Sequence, residues 1–370
     1  MSAATDARWM ARAIQLAGRG HYTTSPNPKV GCVLVRDDTL LAQGWHIKAG
    51  QGHAEVNALA QCAEAAGATA YVSLEPCSHH GKTPPCAEAL IAAGVARVVV
   101  AMQDPNPEVS GRGIARLREA GIDVVVGIAQ AEAEALNPGF IKRMKTGLPR
   151  LRAKLAMSLD GRTAMASGES QWITGSDARR DVQRLRAASC AIVSGVETLL
   201  HDDAALTVRP EQAGLPAEQC RQPLRVILDS HLRTPVAGKL FQGGGPILII
   251  GAENAPESRN KLEAAGAEVL LMAGADGRVD LTAVAKELGR RQCNEVLVES
   301  GATLAGAFLQ ADLLDALTVY MAPTLLGSMA RPLFELPLND MNSQRRLHID
   351  SVRAVGSDWR FDATLHTVAH

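Results

Sequence analysis

From residue 6 to about residue 136 the chain alternates between two hydrophobic periods. The apolar runs VGCVLVR (30–36), LLAQGWH (40–46), TAYVSL (69–74), ARVVVAM (96–102) and IDVVVGI (122–128) have the length and β-branched content of strands. Segments near 54–66, 84–93 and 111–120 carry apolar residues at three- and four-residue spacing and predict helices, as does the amphipathic opening MSAATDARWMARAIQLAGRGH, with Asp6 near its start. Strands interleaved with helices predict a layered α/β sheet. The pattern stops at NPGFIKRMKTGLPR (137–150), where Pro138, Gly139, Gly147 and Pro149 punctuate a basic stretch. The expected boundary falls there, dividing the chain into residues 1–146 and 147–370.

The second half restarts with RLRAKLAMSLDG and continues through CAIVSG, PLRVILDS, PILIIGA, AEVLLMA, NEVLVESG and ALTVYMAPTLLG, with helices expected at 177–187 and 279–291. This predicts a second α/β unit. The Gly- and Pro-bearing segment 208–223 reads as a surface loop, and no repeat period is present.

At 370 residues, 46% of them hydrophobic, the chain can build two packed cores. With 38 basic against 39 acidic residues it has no broad positive field, so nucleic acid is not an expected partner, although small anionic ligands remain open. Every apolar run is strand-sized, short of the roughly 20 residues needed to cross a bilayer, so no membrane association is expected. The opening segment has the charges of a surface helix rather than the apolar run of a secretory signal, which leads us to expect a cytoplasmic protein. Seven scattered cysteines then suggest reduced thiols or a metal rather than a disulfide framework.

Two stretches carry chemistry. In HAEVNAL, His53 stands two residues before Glu55 at an expected helix start; in LEPCSHHGKTPPC, Cys77 follows a strand and Cys86 opens another helix. His53, Cys77 and Cys86 have the donor types of a catalytic Zn2+ site with one position left open, and Glu55 can reach metal-activated water without itself being a ligand. Taken singly, the histidine and glutamate read as helix capping and each cysteine as packing. Together they follow the zinc deaminase order His-x-Glu, then Pro-Cys, then Cys, apart from the long insert between the cysteines. His79 and His80 in that insert read as loop or substrate contacts, or as competing ligands.

TTSPNPKVGCVLV, HAEVNAL, LEPCSHHGKTPPC and DPNPEVSGRG together resemble the deaminase half of the bifunctional pyrimidine deaminase/reductase family of bacterial riboflavin biosynthesis. The long cysteine gap is the form used in that family. The resemblance implies a cytidine-deaminase-like three-layer domain in which His53, Cys77 and Cys86 bind zinc, Glu55 is the catalytic proton shuttle, and Asn27 contacts the substrate base. A turn asparagine between two prolines is the alternative for Asn27. Gly52 stands where the family commonly has proline.

KLAMSLDGRTAMASGESQWITG, LRAASCAIVSGVETLLHDDAALTVR and VESGATLAGAF are similar to the reductase half of the same family, implying a dihydrofolate-reductase-like domain that binds NADPH. By that match Ala156, Trp172, Thr198, Asp202, Ser230, Gly301, Ala302, Thr303 and Leu304 fall on cofactor positions, and Ser170, Arg186, Leu206, Arg209 and Glu299 on substrate positions. Without the family, Gly301 and Gly306 read as turn and packing glycines, and each arginine as a surface ion pair. Arg186 and Arg209 suit a phosphate clamp, with Ser170 adding a hydroxyl; Ser230 and Arg233 suit a 2'-phosphate. Ala204 departs from the proline usual in the family.

The implied activity is zinc-dependent deamination of 2,5-diamino-6-(5-phosphoribosylamino)pyrimidin-4(3H)-one. NADPH-dependent reduction of the ribosyl side chain follows, the partner being this phosphorylated small molecule and the expected assembly a homo-oligomer. Two other readings stay open on the residues alone: a nucleoside or tRNA deaminase with an unrelated C-terminal domain, and a second half that senses nucleotide without catalysis.

Overall fold

The computed structural model describes residues 2–78, 85–170 and 173–365. The described chain forms two compact units, residues 1–147 and 148–370.

The first unit runs α1 (Ala3–Ala17), β1 (Gly31–Arg36), β2 (Thr39–Trp45), α2 (Ala54–Leu59), β3 (Thr69–Val72), α3 (Cys86–Ala92), β4 (Arg97–Val100), α4 (Arg112–Glu119), β5 (Asp123–Val126), α5 (Gln130–Leu136) and α6 (Pro138–Thr146). Its sheet has the order β2-β1-β3-β4-β5, with β1 antiparallel to both neighbours and β3, β4 and β5 parallel. Alternation along the strands makes it a three-layer sandwich. Cys32, Leu34, Ala70, Val72, Val98 and Val100 pack on one face against Ala54, Ala58, Ala87, Leu90, Ile114 and Leu117 of α2, α3 and α4. Val33, Val35, Tyr71 and Val99 pack on the other against Met10, Ala13 and Leu16 of α1, with Ala133 and Phe140. The helix layers lie tight on the sheet where side chains vanish. A Cβ at Gly44 of β2 would stand 2.5 Å from the Ala58 amide nitrogen, and one at Gly31 of β1 would stand 2.0 Å from the Ala13 carbonyl.

The segment expected to be a punctuated boundary is itself helical: Pro138 occupies the first turn of α6, where a missing N–H costs nothing, and Gly147 ends the helix in the left-handed conformation. The helix expected at 54–66 stops at Leu59, because the following residues turn into β3.

The second unit contains β6 (Arg150–Ser158), β7 (Arg162–Ala164), α7 (Ser176–Ala188), β8 (Ala191–Gly195), α8 (Val196–Asp202), α9 (Pro210–Ala213), β9 (Leu224–Leu228), α10 (Lys239–Gln242), β10 (Ile247–Gly251), α11 (Pro256–Ala264), β11 (Glu268–Leu271), α12 (Leu281–Arg290), β12 (Glu295–Glu299), α13 (Ala302–Gln310), β13 (Ala316–Ala322), β14 (Arg331–Pro332), β15 (Leu347–Val355) and β16 (Asp358–Leu365). The nine-stranded sheet is ordered β11-β10-β9-β8-β12-β6-β13-β16-β15. From β11 to β13 every pair is parallel, and the antiparallel hairpin β15–β16 closes the far edge. The parallel strands are buried on both faces, which is why they read as continuous apolar runs. Their C-terminal ends share one edge, where ligand sites of open α/β sheets collect. Within the loop expected at 208–223, Pro210–Ala213 forms the short α9.

Candidate functional site

In the first unit three chain segments converge. His53 is the N-cap of α2, extended at φ −73° and ψ 170°, and its side chain makes no capping bond to the helix it starts. Cys86 is the first residue of α3, after Pro85. Cys77 follows β3, and its carbonyl accepts from the Ala87 amide at 3.1 Å, coupling the two cysteine segments. The ligand atoms of His53, Cys77 and Cys86 lie within 4.8 Å of one another. Nδ1 of His53 is the ring nitrogen that faces them, 3.3 Å from Cys86 Sγ and 3.6 Å from Cys77 Sγ.

The electrostatics fit a cation among these atoms. The Cys77 thiol is pushed down to about 4 by the hydrogen bond from Cys86, helped by His53 and by the Cys86 amide, which reaches the sulfur at 3.4 Å. Cys86, the donor in that pair, is held up. Two sulfurs and one imidazole nitrogen are the donor set of a catalytic zinc site, and with three protein ligands one position stays open. Glu55, 3% exposed, sits in the first turn of α2, and burial raises its pKa. A carboxyl whose burial disfavours the charged form holds a proton more readily than an exposed one.

Asn27 lies beside this cluster through His46. His46 Nδ1 is 3.1 Å from the Gly52 carbonyl, an acceptor only, so Nδ1 carries the proton and Nε2 accepts from Asn27 Nδ2 at 3.1 Å. Burial lowers the His46 pKa, which favours this neutral form. The arrangement uses Nδ2 of Asn27 and leaves its Oδ1 as the acceptor of the amide.

Glu75 was not anticipated from the sequence. Two residues before Cys77 and 3% exposed, its carboxylate accepts from four backbone amides: Asp104 at 3.1 Å and Gly111 at 2.9 Å on Oε2, Gly113 at 2.9 Å and Ile114 at 3.2 Å on Oε1. It therefore caps α4, whose own N-cap, Gly111, has no side chain to offer. A Cβ at Gly113 would stand 1.9 Å from the Pro76 carbonyl, so this helix end rests directly on the Glu75–Pro76 step. The signal in the sequence was an acid inside LEPC, adjoining an apolar strand.

In the second unit the residues assigned to cofactor contact gather at the C-terminal strand edge. Ala156 is near the end of β6, Thr198 and Asp202 lie on α8 directly after β8, Ser230 follows β9, and Gly301 is the N-cap of α13 after β12. Nothing lies within 4 Å of a Cβ built on Gly301, so the chain entering α13 ahead of Ala302, Thr303 and Leu304 is unobstructed at that position. A nine-residue helix with its N-terminus at this edge has the dipole and free amides that favour an anion. Gly306 serves packing instead, since a Cβ there would meet the Glu335 carbonyl at 2.2 Å. Trp172, His79 and His80 lie outside the described residues.

The substrate positions divide. Arg186 of α7 is committed to protein: it forms a bidentate pair with Glu299, Nε to Oε1 at 2.6 Å and Nη2 to Oε2 at 2.9 Å, and Nη1 donates to the Thr207 carbonyl at 3.0 Å. Arg209 is exposed, its guanidinium meeting only Gln212 Oε1 at 3.5 Å among the described residues. Leu206 turns its side chain into the core, 2% exposed among Ile192, Val196 and Leu199, so only its backbone can meet a ligand. Ser170 is exposed in the segment before α7. Lys154 of β6 also went unanticipated. It lies in the field of Glu299 and Arg186, and burial lowers its pKa; the signal was a lysine inside the alternating strand RLRAKLA.

Comparison with known proteins finds relatives of both units. Residues 3–102 match the family model "Cytidine and deoxycytidylate deaminase zinc-binding region", and residues 149–361 match "RibD C-terminal domain". The chain is 52% identical to the riboflavin biosynthesis protein RibD of Escherichia coli, over 95% of this chain and 97% of that one. It is 47% identical to the RibD of Haemophilus influenzae, over 97% of each. The structure of Acinetobacter baumannii RibD superposes with a TM-score of 0.92 at 46% identity, covering 99% of this chain and 100% of that one. A Thermotoga maritima structure described as a diaminohydroxyphosphoribosylaminopyrimidine deaminase/5-amino-6-(5-phosphoribosylamino)uracil reductase gives 0.85 at 30% identity, covering 98% and 99%.

Proposed function

Because this chain belongs to the RibD family of bifunctional riboflavin biosynthesis proteins, a zinc-dependent deaminase joined to an NADPH-dependent, dihydrofolate-reductase-like domain, we propose the following division of work among its residues. The first unit hydrolyses the amine of 2,5-diamino-6-(5-phosphoribosylamino)pyrimidin-4(3H)-one, and the second reduces the ribosyl chain of the product to give 5-amino-6-(5-phosphoribitylamino)uracil. The match of residues 149–361 to the RibD C-terminal domain supports a reductase in the second unit over an unrelated domain there.

His53 Nδ1, Cys77 Sγ and Cys86 Sγ hold zinc, which when bound supplies a Lewis acid that makes water nucleophilic near neutral pH. Glu55 takes the proton given up by the attacking water and passes it to the ring nitrogen, then carries a second proton, from the hydroxyl now on the ring carbon, to the departing amine, so that ammonia leaves and a carbonyl remains; its buried carboxyl, with a raised pKa, can both hold and return a proton. Asn27, fixed by His46, offers Oδ1 to the exocyclic amine. In the second unit the amides opening at Gly301–Leu304 take the cofactor phosphates, Ser230 the 2'-phosphate, and Ala156, Trp172, Thr198 and Asp202 the rest of NADPH, which supplies hydride. Arg209 grips the substrate phosphate beside Ser170, while Arg186 and Glu299, locked together, form the wall against which the sugar lies.

The observation that carries this reading is the convergence of three soft ligand atoms within 4.8 Å beside a buried glutamate. A paired assay on zinc-loaded protein tests it, following ammonia and NADPH together. Ammonia appearing first, with NADPH consumed only afterwards, is expected; NADPH consumed before any ammonia would overturn the order.

The proposal includes a homo-oligomer and a cytoplasmic location. The edge strand β15 and its partner β16 expose Leu347, Ile349, Val352 and Trp359, each at least 40% accessible, an apolar ladder suited to a second copy. Sedimentation as a monomer at micromolar concentration would remove that part. All seven cysteines are free, and a thiolate zinc site is preserved in a reducing compartment. No helix among the described residues is long and apolar enough to cross a membrane.

A further inference from the structure

The loop between α8 and α9, residues 203–209, is held by side chains that come from outside it. Arg225 Nη1 donates to the Ala205 carbonyl at 3.3 Å, and Arg186 Nη1 donates to that of Thr207 at 3.0 Å. Gln222 grips both sides of Val208, its Oε1 accepting from the amide at 2.9 Å and its Nε2 donating to the carbonyl at 2.8 Å. Gln183 Oε1 accepts from the Arg209 amide at 2.9 Å. The segment so held includes Leu206 in the left-handed region at φ 52°, which a branched side chain adopts only when its surroundings impose it.

Arg225 is the unusual member. It is 0% exposed and has no carboxylate partner among the described residues. Its donors go instead to the carbonyls of Ala205, Leu240, Gly243 at 3.2 Å and Gly245 at 2.7 Å. Burying a cation without a counter-ion is costly, and the carbonyl cage offsets that cost only while both loops keep their shape. An apolar residue on β9 would fill the same space without tying Ala205 to the end of α10. These tethers converge on the few backbone units that carry the exposed guanidinium of Arg209.

We propose that Gln183, Gln222 and Arg225 are positioning residues for the reduction, fixing loop 203–209 so that Arg209 meets the substrate phosphate without first having to be ordered. The inference rests on the reading of Arg209 as the phosphate ligand. Preorganisation of this kind raises affinity by removing an ordering cost and leaves the chemical step alone.

The test uses the full-length, zinc-loaded protein, the deaminated substrate and its dephosphorylated form. Gln222→Met keeps length and volume but removes both bonds to Val208. It should raise KM for the phosphorylated substrate about tenfold, with kcat within about twofold. KM for the dephosphorylated compound, KM for NADPH and the rate of ammonia release should not change. Arg209→Ala run in parallel must abolish the preference for the phosphorylated form. If it does not, the reading of Arg209 fails whatever Gln222 does. If it does, and Gln222→Met leaves KM untouched or damages NADPH binding and kcat as well, the positioning role is overturned. Combining the two should cost less than the product of the single effects, because both act through one contact. Arg225→Met should copy Gln222→Met where it folds, and Gln222→Met decides the matter where it does not.

Discussion

The two sites of this chain are built in opposite ways. In the first unit the chemistry resides in side chains of rare types: one imidazole nitrogen, two sulfurs and one carboxyl, brought together from three segments that all lie before residue 93. In the second unit much of the chemistry resides in the backbone. There the proposed seats are the first amides of α13 and a loop whose carbonyls and amides are gripped from outside. A site made of side chains is sensitive to the atoms at one position, whereas a site made of backbone is sensitive to whatever holds the backbone in place.

The largest effect should follow from attacking the first kind of site at its proton carrier. Glu55→Gln keeps shape and burial but removes the ability to take and return a proton. Ammonia release should fall by about a thousandfold, with zinc content and reduction of pre-deaminated substrate unchanged. Metal analysis alongside single-turnover ammonia kinetics checks this, and zinc lost together with activity would mean that Glu55 belongs to the metal shell.

The matching attack on the second unit is Glu299→Gln, which leaves the buried Arg186 guanidinium without its anion. Removing one partner of a buried pair costs about 3–5 kcal/mol, so this unit should melt well below its wild-type temperature and reduction should be lost while deamination survives. Arg186 holds the Glu299 pKa below the ordinary value against the opposing effect of burial. A depressed carboxylate pKa contributes stability that is present above the unfolded value, about 4.3, and is lost as pH falls through the folded one. The gap between wild type and Glu299→Gln should therefore be full at pH 7 and narrow in acid. A gap that widens below pH 4 would reverse the sign and refute the pairing.

Glu75→Gln sharpens the contrast from within the first unit, because here a side-chain site depends on a backbone device. The amide can no longer accept all four N–H groups, three from the α4 end and one from Asp104, so the Cys77 segment loosens. Partners of this kind typically alter metal affinity 10–100-fold. Competition with a chromophoric chelator should show zinc affinity reduced by at least about tenfold, and Glu75→Asp, which keeps the charge on a shorter stem, should recover part of it.

Legibility in the sequence followed the same division. Apolar runs placed the five strands of the first sheet and the seven parallel strands of the second but not the hairpin β15–β16, whose outer strand is mostly exposed, and His53, Glu55, Cys77 and Cys86 stood out because their types are scarce and their spacing is chemical. The helix at 138–146, just before the expected boundary, was not foreseen, because Pro138 and Gly139 punctuate a helix that starts at the proline, where proline is at home. Arg186 reads as a phosphate clamp until its partner Glu299, 113 residues away, is seen to occupy it. Leu206 matches a substrate position, yet its side chain belongs to the core and only its strained backbone is available. Gln222 and Arg225 gave no signal, since nothing in a glutamine or arginine beside an apolar strand says which distant carbonyl it will hold.

The smallest expected effect is the most direct test of whether the second site is made of backbone. Gly301 has φ −73°, which any residue can adopt, and a Cβ there meets nothing within 4 Å, so Gly301→Ala should leave the melting temperature of the second unit nearly unchanged. The one thing that methyl can obstruct is a ligand approaching the first amides of α13. KM for NADPH should rise a few-fold, about three to ten, while ammonia release stays constant, because close approach of phosphate to a helix N-terminus tolerates little bulk. Gly306→Ala, only five residues further on, should do the reverse: its Cβ would press on the Glu335 carbonyl at 2.2 Å, so stability falls first and cofactor affinity follows only through it. If instead Gly301→Ala leaves KM for NADPH untouched, the phosphates are not seated on this helix, and side chains such as Thr198 and Ser230 must carry them, making the two sites alike after all.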